Sequence, residues 1–512
     1  MLAKVYSGAV YGVDAYRVEI EVNAGHGEPK TIVVGLPDAA VKESSDRVWT
    51  ALHNSGFMPP MGRTTINLAP ADIRKEGPSF DLPIALGMLA AQGDLDVEEL
   101  TQYAVIGELA LSGEVRKVKG ILPIALHIRS LGLKGILVPE ENAEEAAVVK
   151  GLNVFPVTSL REAADFVAGK FNIVPLELDM EAIFQHNDEH AEDFSDVKGQ
   201  EYAKRALEVA VTGGHNLLAI GPPGTGKTML AKRVPSILPE MSLEEALEVT
   251  KIHSIAGALS AHQALQVRRP FRAPHHTISD AGLLGGGSHP APGEVSLSHR
   301  GVLFLDELPE FHRNVLEVLR QPLEDGTVTI SRAAMSVTFP SQFMLVAAMN
   351  PCPCGFHGDS KNECRCSPIQ IQRYRNKISG PLLDRIDIHL EVPAVRYQDL
   401  ASAPRGETSA TIRERVVQGR RIQQARFKGI KGVHCNADMR SRDLAKFARL
   451  DAEAEQILKM AITQLNFSAR AYDRILKVAR TIADLDGGAD IIQTQHVSEA
   501  IQYRSLDRQM WV

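Results

Sequence analysis

Residues 216–228 read NLLAIGPPGTGKT, and no other stretch of the chain constrains its fold as tightly. Residues 217–220 are a short apolar run, the pattern of a strand buried on both faces of a parallel sheet. Gly221 then opens a loop of the form G-x-x-x-x-G-K-S/T, filled by Pro222, Pro223, Gly224 and Thr225 and closed by Gly226, Lys227 and Thr228. The glycines let successive backbone N–H groups turn inward on a nucleotide's phosphates, and the two prolines stiffen the entry. Lys227 has the reach for the β- and γ-phosphates, and the Thr228 hydroxyl can ligate Mg2+. The following MLAKRV are good helix formers, so strand, loop and helix stand in the order the motif requires. The stretch is a site for ATP or GTP set in an α/β domain.

A second chemical centre lies in GVLFLDEL (residues 301–308). An apolar strand that ends in paired carboxylates fits Asp306 holding Mg2+ through water and Glu307 polarising an attacking water. Residues 343–350, FMLVAAMN, read as another buried strand, with Asn350 at its end placed to order the water at the γ-phosphate. Arg385, between Asp384 and Asp387, is either a neutralised surface charge or an arginine finger that reaches a neighbouring subunit's γ-phosphate. From about residue 408 the chain reads as a helical lid, with Arg470 opening its third helix, where it can meet nucleotide phosphate. Residues 327–340 alternate as a hairpin with Arg332 close to its tip. The adjacent His275 and His276, placed on a strand, would point to opposite faces and make a poor metal pair. Glycine and proline within residues 285–293 mark an exposed excursion.

Cys352, Cys354, Cys364 and Cys366 form C-x-C-x9-C-x-C. Four thiolates so close together suit a closed tetrahedral Zn2+ site, with His357 as a substitute ligand; free thiols or a redox pair are the other readings. Cys435 stands apart. Five cysteines with this clustering suit a cytoplasmic protein better than a disulfide framework. No apolar run reaches membrane-spanning length, so no membrane partner is expected. The start carries Asp14 early and lacks the apolar core of a secretory signal. The net charge of −7 argues against a coat of positive charge, yet leaves room for nucleic acid held by a local basic ring.

The 512 residues divide by composition. Residues 1–172 alternate short strands and helices. Residues 173–193 form an acidic linker, 194–396 the nucleotide core with its cysteine cluster, and 397–512 the helical lid. Within the first segment, residues 75–93 (KEGPSFDLPIALGMLAAQG) and 107–142 resemble the proteolytic domain of Lon, of the ribosomal S5 domain 2-like fold. In that family a serine in a G-P-S turn works with a later lysine. Ser79 falls on the serine position, but Leu122 falls on the lysine position. A serine hydroxyl without its base is a poor nucleophile, so the domain reads as a Lon-like scaffold without peptidase activity.

Over its whole length the chain resembles the magnesium-chelatase-like AAA+ ATPases of the ComM/YifB type. The matching stretches are DVKGQEYAKRALEVAVTGGHNLL, GPPGTGKTMLA, PFRAPHHTIS, GEVSLSHRGVLFLDELPEF, NPCPCG, YRNKISGPLLDRID and SARAYDRILKVARTIADL. The resemblance implies a three-layer α/β AAA+ core with ATP and Mg2+, a loop inserted at residues 285–293, and a pore hairpin at residues 330–335. It places Arg332 on the DNA-contacting position and Arg470 as the second sensor. It further implies a hexameric homo-oligomer that migrates branches in single-stranded and branched DNA during natural transformation, in company with recombination proteins. A chelatase-type motor or chaperone subunit that does not act on DNA, and an ATP-dependent protease, are the competing readings. The Lon-like domain and the cysteine cluster are not expected of the chelatase, and Leu122 disfavours the protease.

Overall fold

The structure is a computed structural model that describes residues 1–185, 192–287, 290–332, 335–359, 362–394, 406–465, 467–504 and 506. The expected hairpin tip at residues 333 and 334 and the middle of the acidic linker therefore lie outside the described residues. The chain forms two compact units: Met1–Asp188 with Ser242–Val267 and Ser331–Phe339, and Glu189–Met241 with Arg268–Ile330 and Pro340–Val512.

The first unit is built on a seven-stranded sheet. Strands β1 (Leu2–Tyr11) and β2 (Asp14–Ala24) pair antiparallel from Leu2 opposite Asn23 to Tyr11 opposite Asp14. Sequence alone assigns no strand to these residues. In β1 the alternation is broken at Ser7, which is fully buried where an apolar side chain is called for. The strands β3 (Lys30–Val34), β4 (Arg63–Ala69), β5 (Tyr103–Val105), β6 (Gly135–Pro139) and β7 (Val154–Val157) complete the order β3-β4-β2-β1-β5-β6-β7. Strand β2 runs antiparallel to both neighbours, and the other pairs are parallel.

Helix α1 (Ala39–Asn54) is capped by Asp38, whose Oδ1 accepts from the Val41 N–H at 2.7 Å. Helix α2 (Asp81–Gln92) is apolar nearly all round and is buried over residues 81–91, as such a helix must be. Helix α3 (Ile121–Arg129) packs over β1 and β2, and α4 (Glu140–Ala147) over β6 and β7. The Leu243–Ala256 helix, opened by the Ser242–Glu245 capping box, packs against α3. Glu145 fastens this corner. Its Oε1 accepts from the Leu122 N–H at 2.8 Å and from the Ser254 hydroxyl at 2.5 Å, and its Oε2 accepts from the Asn142 amide at 3.1 Å.

The second unit carries a five-stranded parallel sheet: β8 (Leu217–Ile220), β9 (Phe271–Arg272), β10 (Val302–Leu305), β11 (Met344–Met349) and β12 (Ile388–Glu391), in the order β9-β10-β11-β8-β12. Helix α5 (Glu201–Gly213) leads into β8, and α6 (Lys227–Ile237) leaves the phosphate loop. Helix α7 (Pro368–Arg375) follows the cysteines. Four longer helices come after it: α8 (Ser409–Arg426), α9 (Ala452–Leu465), α10 (Ala469–Leu485) and α11 (Thr494–Gln502). They share one hydrophobic core with α5, α6 and the sheet. The excursion at residues 285–293 is tied down at its ends. Gly285–Gly286 pairs antiparallel with Ala291–Pro292, and Pro292 and Gly293 are buried.

The Glu145 corner can be tested. Glu145→Ala strands the Leu122 N–H and the Ser254 hydroxyl in a buried site, at about 1–3 kcal/mol for each unsatisfied group. Its urea midpoint should fall accordingly. Burial pushes the Glu145 carboxyl pKa up in the folded state. Its stabilising share is therefore fully present at low pH and declines as pH rises past the ordinary carboxylate range toward the raised folded value. Glu145→Gln should remove that slope from the plot of midpoint against pH.

Candidate nucleotide site

In an open parallel sheet, ligands sit outside the carboxyl ends of the strands where the strand order reverses. Here β8 lies between β11 and β12, so the reversal falls at β8 and the phosphate loop leaves from its end. All of β8 is buried, which fixes where the loop begins. Gly226 caps α6 at φ +86°, a left-handed backbone that a side chain would strain.

Lys227 folds back over the loop. Its Nζ donates to the Gly221 carbonyl at 2.7 Å, the Pro222 carbonyl at 2.9 Å and Asn350 Oδ1 at 3.3 Å. Burial lowers its pKa against the pull of Asp306 and Glu307. The Thr228 hydroxyl donates to Asp306 Oδ2 at 2.6 Å, so the two candidate Mg2+ ligands already face one another. Asp306 Oδ1 accepts from the Glu307 N–H at 2.9 Å. Glu307 sits at φ +53°, a strained backbone for a residue with a side chain. The structure thus brings Lys227, Thr228, Asp306, Glu307 and Asn350 to one edge of the sheet. An oxygen-donor pair beside a lysine at the start of a helix is the donor set that Mg2+ and phosphates take.

Two residues of this site were not legible as members of it. Gln200, at φ +58°, donates its Nε2 to the Thr225 carbonyl at 2.6 Å and braces the loop from behind. His276 places Nδ1 3.6 Å from Glu307 Oε2. The expectation that His275 and His276 face apart fails. Strand β9 ends at Arg272, the pair lies in a turn, and the rings stand 4.1 Å apart.

Arg385 and Arg470 have partners outside the Lys227–Asp306 network. Arg385 is buried, with one Nη donating to the Pro381 carbonyl at 2.5 Å and the other paired with Glu324. Arg470 is exposed and donates to Asp384 Oδ2 at 3.0 Å. Behind β8, His215 places Nδ1 3.1 Å from Asp387 Oδ2 and Nε2 2.8 Å from Thr481 Oγ1. Arg474 meets the other Asp387 oxygen at 2.7 Å. Burial favours the neutral acid at Asp387, but Arg474 and His215 hold its pKa below the usual carboxylate range.

Cys352, Cys354, Cys364 and Cys366 bring their sulfurs within 4.8 Å of one another, with separations of 3.4 and 3.7 Å from Cys352 to Cys354 and Cys364. A tetrahedral zinc with Zn–S bonds of about 2.3 Å sets sulfurs about 3.8 Å apart, so the four fit one cation. Backbone N–H groups of Phe356 and Arg365 point at the Cys354 sulfur and bring its pKa down to about 6. Arg332 is exposed on the Thr327–Arg332 and Met335–Pro340 hairpin. The Tyr11 hydroxyl donates to the Ser336 carbonyl of that hairpin at 3.4 Å.

Three domain models match consecutive stretches: subunit ChlI of Mg-chelatase over residues 20–142, magnesium chelatase subunit ChlI over 193–400, and the ChlI C-terminal model over 406–504. Competence protein ComM of Haemophilus influenzae is 46% identical over 510 residues, 99% of this chain and 98% of its own length. The chain belongs to the ComM/YifB type of magnesium-chelatase-like proteins. Another relative of that type, the uncharacterized protein YifB of Escherichia coli, is 44% identical over 99% of this chain and 98% of its own. The Lon-like resemblance has a counterpart in Lon protease 2 of Bacillus subtilis, 33% identical over 157 residues, 28% of this chain and 27% of its own. In this ComM/YifB-type chain Leu122 is fully buried, with its N–H donating to Glu145 Oε1 at 2.8 Å.

The strain at Glu307 is measurable. Glu307→Ala and Glu307→Gly both remove the carboxylate, but only glycine relaxes the left-handed backbone. The glycine variant should unfold at higher urea than the alanine variant, by about 1 kcal/mol. Equal midpoints would show that the backbone there carries no strain.

Proposed function

We propose that this protein is an ATP-hydrolysing AAA+ motor that works as a hexameric ring on single-stranded and branched DNA. The observation that carries the ATPase reading is the joining of Lys227, Thr228, Asp306 and Asn350 by hydrogen bonds at the sheet's reversal point. Lys227 and the backbone N–H groups of residues 224–228 hold the phosphates. Thr228 and Asp306 hold Mg2+, which when bound neutralises phosphate charge. Glu307 accepts the proton of the attacking water, and Asn350 orients that water. A neighbouring subunit's Arg385 and the lid's Arg470 act as finger and second sensor. For Arg385 this requires its ion pair with Glu324 to open when subunits meet.

The DNA reading rests on the exposed Arg332 of the hairpin and on the full-length likeness to a competence protein. A ring that brings one Arg332 from each subunit to a common axis gives an acidic chain a local positive field. Recombination proteins would be its partners and the cytoplasm its place. The domains divide at residues 172, 193 and 396, and the Lon-like domain serves as a scaffold without peptidase activity. The four cysteines hold structural Zn2+. A chelatase-type motor that does not act on DNA is the second reading, favoured by the magnesium chelatase models that match three stretches of the chain.

ATP hydrolysis with and without single-stranded DNA separates these readings. Glu307→Gln should keep nucleotide binding and lose roughly 10²–10⁴ in turnover, as removal of a general base does. Mixing it with Arg385→Ala protein should restore part of the rate through mixed interfaces.

Arg332→Ala should leave ATP binding and assembly intact while abolishing DNA-stimulated hydrolysis and junction movement. The DNA binding that remains in wild type should weaken steeply with salt. Junction migration by Arg332→Ala at the wild-type rate would return the chelatase reading to favour.

A further inference from the structure

The cysteine cluster is attached to the nucleotide site at both ends. Cys352 follows Asn350 by two residues, and Asn350 Oδ1 receives the Lys227 ammonium. Within the first knuckle, Gly355 donates its N–H to the Cys352 carbonyl at 3.0 Å and sits at φ +87°. A Cβ placed on Gly355 would lie 2.6 Å from Pro223 Cδ and 3.9 Å from Asn350 Cγ. The knuckle therefore rests against the wall of the phosphate loop and the side chain of Asn350 together. At the other end, Cys366 runs into Ser367, which caps α7. That helix returns Arg375 Nε to the Pro351 carbonyl at 3.2 Å, and its Tyr374 hydroxyl meets the Asn350 backbone.

Among the described residues from 352 to 366, only Cys352 and Gly355 are buried. A segment with so little apolar core needs a cross-link to keep one shape. The four sulfurs, spaced for a tetrahedral soft cation, supply it.

We propose that this tetrathiolate centre is a metal-dependent clamp on hydrolysis. With Zn2+ or a similar soft cation bound, it holds Asn350 and the Pro223 wall in place. Without it, the site binds nucleotide and fails to hydrolyse it. Binding survives because Lys227 and the loop amides hang from β8 and α6, neither of which includes the cysteine segment. Hydrolysis suffers because Asn350 loses its anchor, and a misplaced polar group at such a position costs roughly 10²–10³ in turnover. The inference rests on the ATPase reading above.

The test uses full-length protein purified without chelator, then stripped with a mercurial and a chelator, then reloaded. Metal analysis should find about one zinc per chain before stripping, and Co2+ loading should give a thiolate charge-transfer band. Stripping should lower kcat by roughly 10² while the Kd of a fluorescent ATP analogue stays within about threefold, and Zn2+ should restore turnover. Gly355→Ala should keep its zinc and still lose turnover, because its methyl displaces Pro223. Equal kcat for loaded and stripped protein, or a protein that takes up no metal, overturns the proposal. So does a parallel loss of nucleotide affinity, which would mark simple unfolding. Zinc-loaded protein without any ATP hydrolysis would instead bring down the ATPase reading itself.

Discussion

The strands of the larger unit's sheet are buried over most of their length, so polar chemistry can only emerge where they stop. Strand β8 ends in the phosphate loop, β10 in Asp306 and Glu307, and β11 in Asn350. Parallel pairing in register sets these three ends side by side, with Ile220 opposite Met349 and Leu305 opposite Ala347. The site is therefore a consequence of register. A one-residue slip of β11 would turn its core side chains to the opposite face and move Asn350 away from Lys227.

Strand β8 is tied at its other end to the lid. His215 lies just before β8, and through Asp387 it meets Arg474 on α10, while its second nitrogen meets Thr481 on the same helix. The next residue, Asn216, donates to the Arg385 carbonyl at 3.0 Å and accepts from the Leu345 N–H at 2.9 Å. Thus the base of the phosphate-loop strand, the segment carrying Arg385, and the lid helix share one buried polar cluster. Breaking one member leaves buried charge uncompensated, which makes such a cluster stiff. Movement of α10 relative to the sheet would be felt at the backbone of Arg385 without passing through the nucleotide.

What could be read from sequence was local. The strand–loop–helix at residues 217–237 and the strand ending in Asp306 and Glu307 depend on side chains within a few residues of each other. The α/β class follows from them. The rest depends on contacts between distant residues. Glu145 meets Ser254 across 109 positions, and Arg385 meets Glu324 across 61. Gln200 reaches the phosphate loop only because its backbone adopts a left-handed conformation that its residue type does not announce. The closeness of His275 and His276 was hidden by a strand that stops sooner than its sequence suggests. In strand β1 the alternation is interrupted by a buried serine.

In the Lon-like unit one buried acid ties two helices together. Leu122, on the first turn of α3, is fully buried, as Ile121, Ile124 and Ala125 of the same helix are buried. An ammonium there would face desolvation in an apolar setting, while a leucine adds to the core. The polar interaction at this point runs instead through the backbone, from the Leu122 N–H to Glu145, and from Glu145 to Ser254. The carboxylate that holds the first turn of α3 also holds the Leu243–Ala256 helix, a segment that belongs in sequence to the nucleotide core. One buried acid thereby makes part of the core's own sequence a structural member of the scaffold.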